Sequence, residues 1–168
     1  MPKIIQNLEA KLIEEAGRQI EQIGYGAMTM RSVAKGCDVG VGTVYNYFSC
    51  KETLVAAYLL RDWNNCIADF EAVSADSQSP RPVALRIYQH LTDFTQRHLA
   101  VFQDEVAAAS FSGSFTRYHA LLRSQLAQAL RKFCESDFAA EFQAEALLSW
   151  TIARKTFDEI YGMMEKLF

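Results

Sequence analysis

The chain has 168 residues, of which 50% are hydrophobic and 12% aromatic, and its formal net charge is −3. This length allows one compact domain or two small ones with a buried core. No run of 18 apolar residues occurs, which excludes a membrane-spanning helix. A net charge of −3 does not by itself suggest a polyanionic partner such as a nucleic acid.

Cysteines and histidines show no metal-binding pattern. The four cysteines form no CxxC pair, and the three histidines form no HxxxH motif. The chain also lacks the GxSxG, P-loop and GxGxxG motifs, so no enzyme activity is expected. The first ten residues are amphipathic and do not resemble a signal peptide. We therefore expect a cytoplasmic protein with reduced thiols, no metal and no other cofactor.

Hydrophobic periodicity predicts an all-α fold. Long segments rich in alanine, leucine, glutamine and glutamate lack β-branched alternation. Residues 3–23 form the first predicted helix, with glutamates on its polar face. The sequence Gly24-Tyr25-Gly26 has the turn chemistry that ends a helix.

Two short helices are predicted next, at 29–36 and 40–47. Thr29 is a good N-cap for the first, and the turn between them contains Asp38 and Gly40, both of which accept a positive φ. The predicted core residues of this segment are Met30, Val33, Ala34, Val44 and Phe48. A helix, a short turn and a second helix with a polar face form the helix-turn-helix plan, in which the second helix enters the DNA major groove.

The segment from Val33 to Leu54 resembles the TetR family of bacterial transcriptional regulators. The most specific part of the family pattern is Gly42-x-x-Tyr45-x-x-Phe48-x-x-Lys51-Glu52-x-Leu54. Two positions depart from the pattern: Asp38 replaces the usual glycine, and Gly40 replaces the serine or threonine that usually caps the second helix. The resemblance covers about the first third of the chain. It implies a three-helix DNA-binding head, a homodimer, a palindromic double-stranded operator and a small-molecule effector.

DNA contacts follow from the resemblance residue by residue. Thr43 and Asn46 are expected to reach base edges, and Gly42 lets the helix backbone approach DNA closely. Tyrosine hydroxyls and the helix starts are expected to contact phosphates. The predicted DNA-binding residues are Thr29, Arg31, Gly40, Val41, Gly42, Thr43, Tyr45, Asn46, Tyr47 and Lys51. The alternative for Tyr45 is an aromatic side chain in the core of the head.

The chain is predicted to divide into a DNA-binding domain at 1–49 and a helical regulatory and dimerisation domain at 50–168. A long helix from Lys51 to about Val73 has two apolar faces, so it should contact both parts. A linker is predicted at 74–82. Four body helices follow, and Asp137 is expected to cap the last of them. Their predicted ranges are 82–98, 101–110, 114–135 and 138–167.

The last predicted helix carries a wide apolar stripe. Its members are Ala146, Trp150, Ala153, Phe157, Ile160, Tyr161, Met164 and Phe168. With the preceding helix, this stripe could pair with a second copy of the chain as a four-helix bundle. The alternative is an ordinary core helix.

A ligand site in the body is predicted from aromatic residues that could line an apolar cavity. The predicted ligand-binding residues are Tyr58, Trp63, Tyr88, His90, Phe94, Phe102, Phe111, Phe115, Tyr118 and Trp150. Further polar groups could come from Asn65, Arg86, His98 and His119. For any one of these aromatic residues, plain core packing is the alternative.

The sequence thus predicts a TetR-like regulator, a repressor that binds its operator as a homodimer and is released by a small apolar or amphipathic effector. The alternative is a helical module that binds DNA or a protein partner without an effector. A thiol switch at Cys37 or Cys50 is a further hypothesis, because both flank the predicted DNA-reading helix.

Overall fold

The computed structural model describes residues 7–111 and 115–168, and among these the side chains of 115 and 116 are left undescribed. Throughout these ranges the regular structure is helical, which confirms the all-α prediction. The α-helices are α1 (Leu8–Ala27), α2 (Met30–Gly36), α3 (Val41–Tyr47), α4 (Lys51–Asp76), α5 (Pro80–Arg97), α6 (Leu99–Phe102), α7 (Glu105–Phe111), α8 (Phe115–Leu130), α9 (Asp137–Ile152) and α10 (Phe157–Met164). Short 3-10 turns follow α8 and α10, at Arg131–Phe133 and Glu165–Leu167.

The chain forms two compact units. The first comprises Met1–Asp62 and His98–Ser112, and the second comprises Trp63–Arg97 and Gly113–Phe168. The first unit therefore extends past the predicted domain boundary after residue 49 and includes a later segment of the chain. The assignment of functions to 1–49 and 50–168 stays a prediction.

The first unit contains the three-helix head. Helix α1 packs against α2, and α2 packs against α3, while α6 and α7 also contact α1. Its core is built from apolar side chains of all these helices and of the first turns of α4. The fully buried members include Leu12, Ala16, Tyr25, Met28, Val33, Val44, Leu54 and Val55. Short helices such as α2 and α3 depend on this packing, because neither is long enough to persist alone.

Helix α1 contains the turn predicted at Gly24. This residue has φ 81° and ψ 161°, so the helix kinks there before continuing to Ala27. The kink brings the side chain of Tyr25 into the core, where it is fully buried. The predicted start of this helix at residue 3 lies outside the described residues.

The helix-turn-helix segment follows the local chemistry of its sequence. Thr29 caps α2 through a capping box: its Oγ1 accepts from the Ser32 N–H at 3.0 Å, and its own N–H donates to the Ser32 Oγ at 3.0 Å. In the turn, Asp38 adopts the left-handed conformation with φ 55°. Gly40 is extended, with φ −69° and ψ 144°, and begins α3 without a side-chain cap.

The predicted linker at 74–82 is largely wrong, because helices α4 and α5 leave only residues 77–79 between them. Ser74 is buried, and its hydroxyl donates to the Ala129 carbonyl oxygen at 2.6 Å. Pro80 occupies the first position of α5, where a missing N–H costs nothing. The polar, proline-containing segment 74–82 therefore forms the end of α4 and the start of α5 rather than a linker.

The helix predicted at 101–110 is two helices, α6 and α7. The break falls at Asp104, whose Oδ1 accepts from the N–H groups of Val106 at 2.9 Å and Ala107 at 3.0 Å. A side chain that satisfies these two donors starts a new helix. The prediction missed the break because it considered only the apolar spacing.

The helix predicted at 138–167 is also two helices, α9 and α10. Arg154 has φ 60°, and Thr156 and Glu159 form a capping box that starts α10. Ser136, rather than Asp137, caps α9: its Oγ accepts from the Ala139 N–H at 3.1 Å. The apolar stripe predicted on this segment is therefore divided between two helices.

The second unit packs α5, α8, α9 and α10 against each other. Its largest fully buried side chains are Trp63, Phe70, Ile87, Leu126, Leu130, Leu147, Leu148 and Met164. None of the helices in the described ranges combines the length and the apolarity needed to cross a lipid bilayer.

Candidate nucleic-acid interface

Helix α3 separates core residues from exposed ones. Val44 is fully buried and Phe48 is 5% exposed, as predicted, whereas Tyr45 is 52% and Tyr47 48% exposed. Asn46 is exposed between them. The alternative that Tyr45 belongs to the core of the head is therefore wrong. Two tyrosine hydroxyls and one amide point away from the core on a helix that is two turns long.

Gly42 is exposed on the same helix, and its own chain does not require a glycine there. A methyl group built at this position would meet no atom within 4 Å, and the backbone is helical. Gly17 is the opposite case, since a methyl group there would lie 2.4 Å from Cε2 of Tyr58. Glycine inside a helix is costly relative to alanine, and the packing of this chain does not require it at position 42.

The other predicted DNA-binding residues differ in how far their side chains are exposed. Arg31 and Gly40 are exposed, and Thr43 is half-buried. Val41 is partly buried against the core of the first unit, so its side chain contributes to packing. The hydroxyl of Thr29 is engaged in the cap of α2.

Lys51 contacts its own chain. Its Nζ donates to the carbonyl oxygen of Tyr25 and lies 4.0 Å from the centroid of the Tyr25 ring. Burial lowers the pKa of this ammonium group, and the charges of Asp104 and Glu52 act in the opposite direction. Sequence reasoning missed these contacts because Tyr25 lies 26 residues earlier.

A polar network connects α1 to the first turn of α2. The buried Gln19 donates to Glu15 at 2.7 Å and accepts from the Ser32 hydroxyl at 2.5 Å. Glu15 also accepts from Arg18, and this hydrogen bond holds the pKa of the Glu15 carboxyl below its usual value. The network borders an open depression of about 410 Å³. Its lining residues are Glu15, Arg18, Gln19, Gln22, Ile23, Ser32, Lys35 and Gly36.

The ten predicted ligand-binding residues are divided between the two units. Tyr58, Phe102 and Phe111 belong to the first. Tyr58 is buried, and its hydroxyl donates to Glu21 at 3.2 Å. Phe111 packs against the Tyr25 ring, with 6.1 Å between centroids, whereas Phe102 is 49% exposed.

In the second unit, four of the predicted ligand residues contact other residues of their own chain. Trp63 and Phe94 are buried and pack edge to face with ring centroids 5.4 Å apart. The hydroxyl of Tyr88 donates to the Lys155 carbonyl oxygen at 3.2 Å. His90 contacts Asp69, with 2.5 Å between Nε2 and Oδ2.

Three predicted ligand residues remain. Trp150 is 53% exposed, Tyr118 is half-buried, and the side chain of Phe115 lies outside the described residues. The ligand role of all ten stays a prediction.

Cysteine reactivity is not promoted at Cys37. Burial raises the pKa of this thiol, and the nearby Glu15 carboxylate raises it further, while Lys11 and Arg18 oppose the shift. A raised pKa reduces the thiolate fraction on which oxidation depends. Within the described part of the chain, no three side chains of the His, Cys, Asp or Glu types are grouped as metal ligands would be.

Comparison with known proteins agrees with this geometry. Residues 12–58 match the family model described as bacterial regulatory proteins, tetR family. Over 65 residues, the chain is 28% identical to the HTH-type transcriptional regulator UidR of Escherichia coli (strain K12). That alignment covers 39% of this chain and 33% of UidR. The chain therefore spans about one third of the length of the curated relatives that it matches.

Solved structures show the same fold. SCO7518 from Streptomyces coelicolor A3(2) superposes with a TM-score of 0.71 at 14% identity, over 94% of this chain and 95% of that one. A transcriptional regulator from Cytophaga hutchinsonii ATCC 33406 gives 0.62 at 18% identity, over 92% and 89%. The TetR family repressor AlkX from Dietzia sp. strain DQ12-45-1b gives 0.61 at 17% identity, over 95% and 92%.

The fold and the exposed face of α3 define a helix-turn-helix DNA-binding head in an all-α chain. Residues 12–58, which contain most of this head, match the model of the TetR family of bacterial regulatory proteins, as the resemblance in the sequence predicts. The solved structures show that the fold of the chain is also similar.

Proposed function

We propose that this protein is a homodimeric transcriptional regulator, a repressor that binds a palindromic double-stranded DNA operator. The observation that carries the proposal is the outward face of α3, where Tyr45 and Tyr47 are about half exposed while Val44 and Phe48 hold the helix on the core. Tyrosine combines an apolar ring with a polar hydroxyl and is enriched at interfaces, so two half-exposed tyrosines on one helix suit a surface that a partner covers.

The chemistry of this face suits DNA. Thr43 and Asn46 can hydrogen-bond to base edges in the major groove. The hydroxyls of Tyr45 and Tyr47 can donate to phosphates, which would fix the position of the helix on the duplex. Gly42 leaves space for a phosphate or sugar to approach the backbone.

The dimer would form through the second unit. Helices α9 and α10 leave several large apolar side chains exposed, and the exposed fraction reaches 76% at Phe138. The others on these helices and the turn after them are Phe142, Trp150, Ile152, Met163 and Leu167. A two-fold pair would cover these surfaces and present two copies of α3 to two half-sites.

A small apolar or amphipathic effector would release the operator. It needs only a higher affinity for a state of the dimer that cannot hold both copies of α3 on one duplex. AlkX, which shares this fold, is a repressor, and this supports repression over activation.

The alternative is an effector-independent module that binds DNA or a protein partner. One observation favours it: Trp63 and Phe94 pack directly on each other, and the Nε1 of Trp63 donates to Gln125 at 2.9 Å. Side chains that satisfy each other in this way leave little reason for a ligand at that place. Native mass spectrometry of the protein purified from cells discriminates between the two functions. An effector-dependent regulator is expected to carry a bound small molecule, whereas an effector-independent module is expected to show the mass of the protein alone.

The DNA-binding proposal is tested with a duplex enriched from a random pool. Tyr45→Ala is expected to weaken binding about tenfold or more, since a hydrogen bond to a charged group contributes about 1.5–3 kcal/mol. Tyr45→Phe removes the hydroxyl and keeps the ring, so it shows how much of the loss of affinity is due to the hydroxyl. The matched control is Ile23→Ala, because Ile23 is 53% exposed on α1, as exposed as Tyr45. Equal affinities for Tyr45→Ala and the control, measured by fluorescence anisotropy, would refute the proposed interface.

A further inference from the structure

One peptide group in the first unit lies between two opposite charges. The carbonyl oxygen of Tyr25 accepts from the Lys51 ammonium group. The N–H of the next residue, Gly26, donates to the Asp104 Oδ2 at 3.1 Å. These two groups belong to the same peptide unit, so the positive charge sits at its oxygen end and the negative charge at its N–H end. Both charges stabilise the peptide dipole in this orientation.

The two carboxylate oxygens of Asp104 accept hydrogen bonds from two different helices. Oδ2 holds the last turn of α1, while Oδ1 caps α7 through the N–H groups of Val106 and Ala107. These N–H donors, with the Ala107 group first, hold the pKa of the Asp104 carboxyl below its usual value, and Lys51 contributes as well. The carboxylate thus remains charged and bonded to both helices at neutral pH.

Lys51 lies at the junction between α3 and α4, so its contacts affect how α3 is held. It is the first residue of α4, four residues after the end of α3 at Tyr47. Its ammonium group also lies over the ring of Tyr25, which is fully buried and whose hydroxyl donates to Glu52 at 3.4 Å. The start of α4 is therefore fixed to the end of α1 by both the backbone and the ring of Tyr25.

We propose that Lys51 and Asp104 are positioning residues for DNA binding, acting on each other through the Tyr25–Gly26 peptide. The bridge fixes the start of α4, and with it the adjoining helix α3, to the segment that contains α6 and α7. This inference rests on the proposed function, DNA binding by α3. It gives the Lys51 side chain an intramolecular role in place of the predicted phosphate contact.

An effect of Asp104 through its charge and an effect through the position of α3 would change the affinity for DNA in opposite directions. If the carboxylate acted only through its negative charge, removing it would strengthen binding to polyanionic DNA. If it positions α3, removing it weakens binding. Asp104→Asn tests the difference sharply, because the single amide oxygen can still cap α7 and cannot also serve Gly26. Glu105→Gln is the matched control, since it removes the same charge one residue later, at an exposed position.

The experiment measures the affinity of full-length variants for an enriched duplex over a series of salt concentrations. Asp104→Asn and Lys51→Met are each expected to weaken binding about three- to tenfold, the effect of one lost hydrogen bond. The double variant should be no weaker than the single ones, because both changes break one bridge. The slope of log affinity against log salt should stay unchanged, and Glu105→Gln should bind at least as tightly as the unaltered chain.

The Gly26 amide provides a readout that does not depend on DNA. In Asp104→Asn its nuclear magnetic resonance shift should move and its hydrogen exchange should become faster, while circular dichroism shows an unchanged helix content. The inference is overturned if Asp104→Asn binds as tightly as the control or if the two changes are additive. It is also overturned if Lys51→Met lowers the salt slope by about one per subunit, which would mark a direct phosphate contact. Failure of the unaltered chain to bind any duplex refutes the proposed function itself and is seen before any variant is compared.

Discussion

At the scale of single residues, two glycines in helices of the first unit have different surroundings. Gly17 faces the ring of Tyr58 at a distance that no side chain can enter, whereas Gly42 faces open space. Sequence alone could not separate them, because it does not show which atoms of the folded chain face each glycine. The family pattern pointed to Gly42, and the structure shows that the chain itself does not impose it.

Replacing Gly42 by alanine should therefore increase the stability of the fold while it weakens DNA binding. Gly42→Ala is expected to raise the free energy of unfolding by about 0.5–1 kcal/mol, because alanine is the better helix former. It should at the same time weaken DNA binding, since the new methyl group occupies the surface on which DNA is proposed to lie. Denaturant titration and fluorescence anisotropy measure the two effects.

The control for this change is Gly162→Ala. Gly162 lies in α10, and a methyl group there also meets nothing within 4 Å. This variant should be stabilised to a similar degree and bind DNA normally, with sedimentation velocity used to check that it has the same mass as the unaltered chain, because the neighbouring Met163 belongs to the proposed dimer surface. If Gly42→Ala bound DNA as well as Gly162→Ala, the close approach proposed at Gly42 would be wrong.

At the scale of elements, the sequence was informative where helix ends have local chemistry. The cap at Thr29 and the left-handed turn residue Asp38 were both predicted, because a hydroxyl or a short polar side chain acts on its nearest neighbours. The break at Asp104 and the break before α10 were missed. The apolar spacing continues across both, so only the capping groups of Asp104 and Thr156 marked them.

Longer-range contacts could not be predicted at all. Nothing near Lys51 in the chain indicates that its ammonium group meets Tyr25, and nothing near Trp63 indicates Gln125 as its partner. These pairs are 26 and 62 residues apart. They arise from tertiary packing, which a single sequence does not specify.

The capping box of α10 predicts a pH-dependent stability. Glu159 accepts from the Thr156 N–H at 2.8 Å and from Lys155 Nζ at 3.1 Å, and these bonds, the backbone one first, lower the pKa of its carboxyl to about 2. A pKa lower in the folded state means that the stabilisation is present above the ordinary value of 4.5 and is lost as the pH falls towards 2.

Glu159→Gln should therefore lower the Tm at pH 7, and the difference from the unaltered chain should shrink between pH 4.5 and 2. Glu165→Gln serves as the control, because it removes the same charge a short distance along the chain. Thermal melts followed by circular dichroism at a series of pH values measure both. A Tm difference for Glu159→Gln that stayed constant over this range would contradict the role assigned to the carboxylate.

At the scale of the whole molecule, the exposed apolar side chains of α9 predict association. Phe138 and Phe142 lie one helical turn apart and are 76% and 52% exposed. The stripe predicted from the sequence included Ile160, Tyr161 and Met164, which are buried within their own unit. The surface available for a dimer therefore overlaps only in part with the predicted stripe, since Trp150 is the one large apolar side chain named in both that is exposed.

Introducing charges on this surface should separate the two copies. The double change Phe138→Glu with Phe142→Glu is expected to convert a dimer into a monomer of 19.0 kDa and to weaken operator binding, since each head would then bind alone. Leu85→Glu, on α5, is the control and should remain dimeric. Sedimentation velocity measures the mass, and an unchanged mass in the double variant would place the dimer interface elsewhere.

The most direct measurement is the selection of bound duplexes from a random DNA pool by the full-length protein. We expect an enriched motif with two-fold symmetry, with half-site centres about 34–36 Å apart or a multiple of this distance, and loss of this enrichment with Tyr45→Ala. A pool without an enriched motif, or an enrichment that Tyr45→Ala leaves unchanged, would contradict the claim that α3 reads DNA.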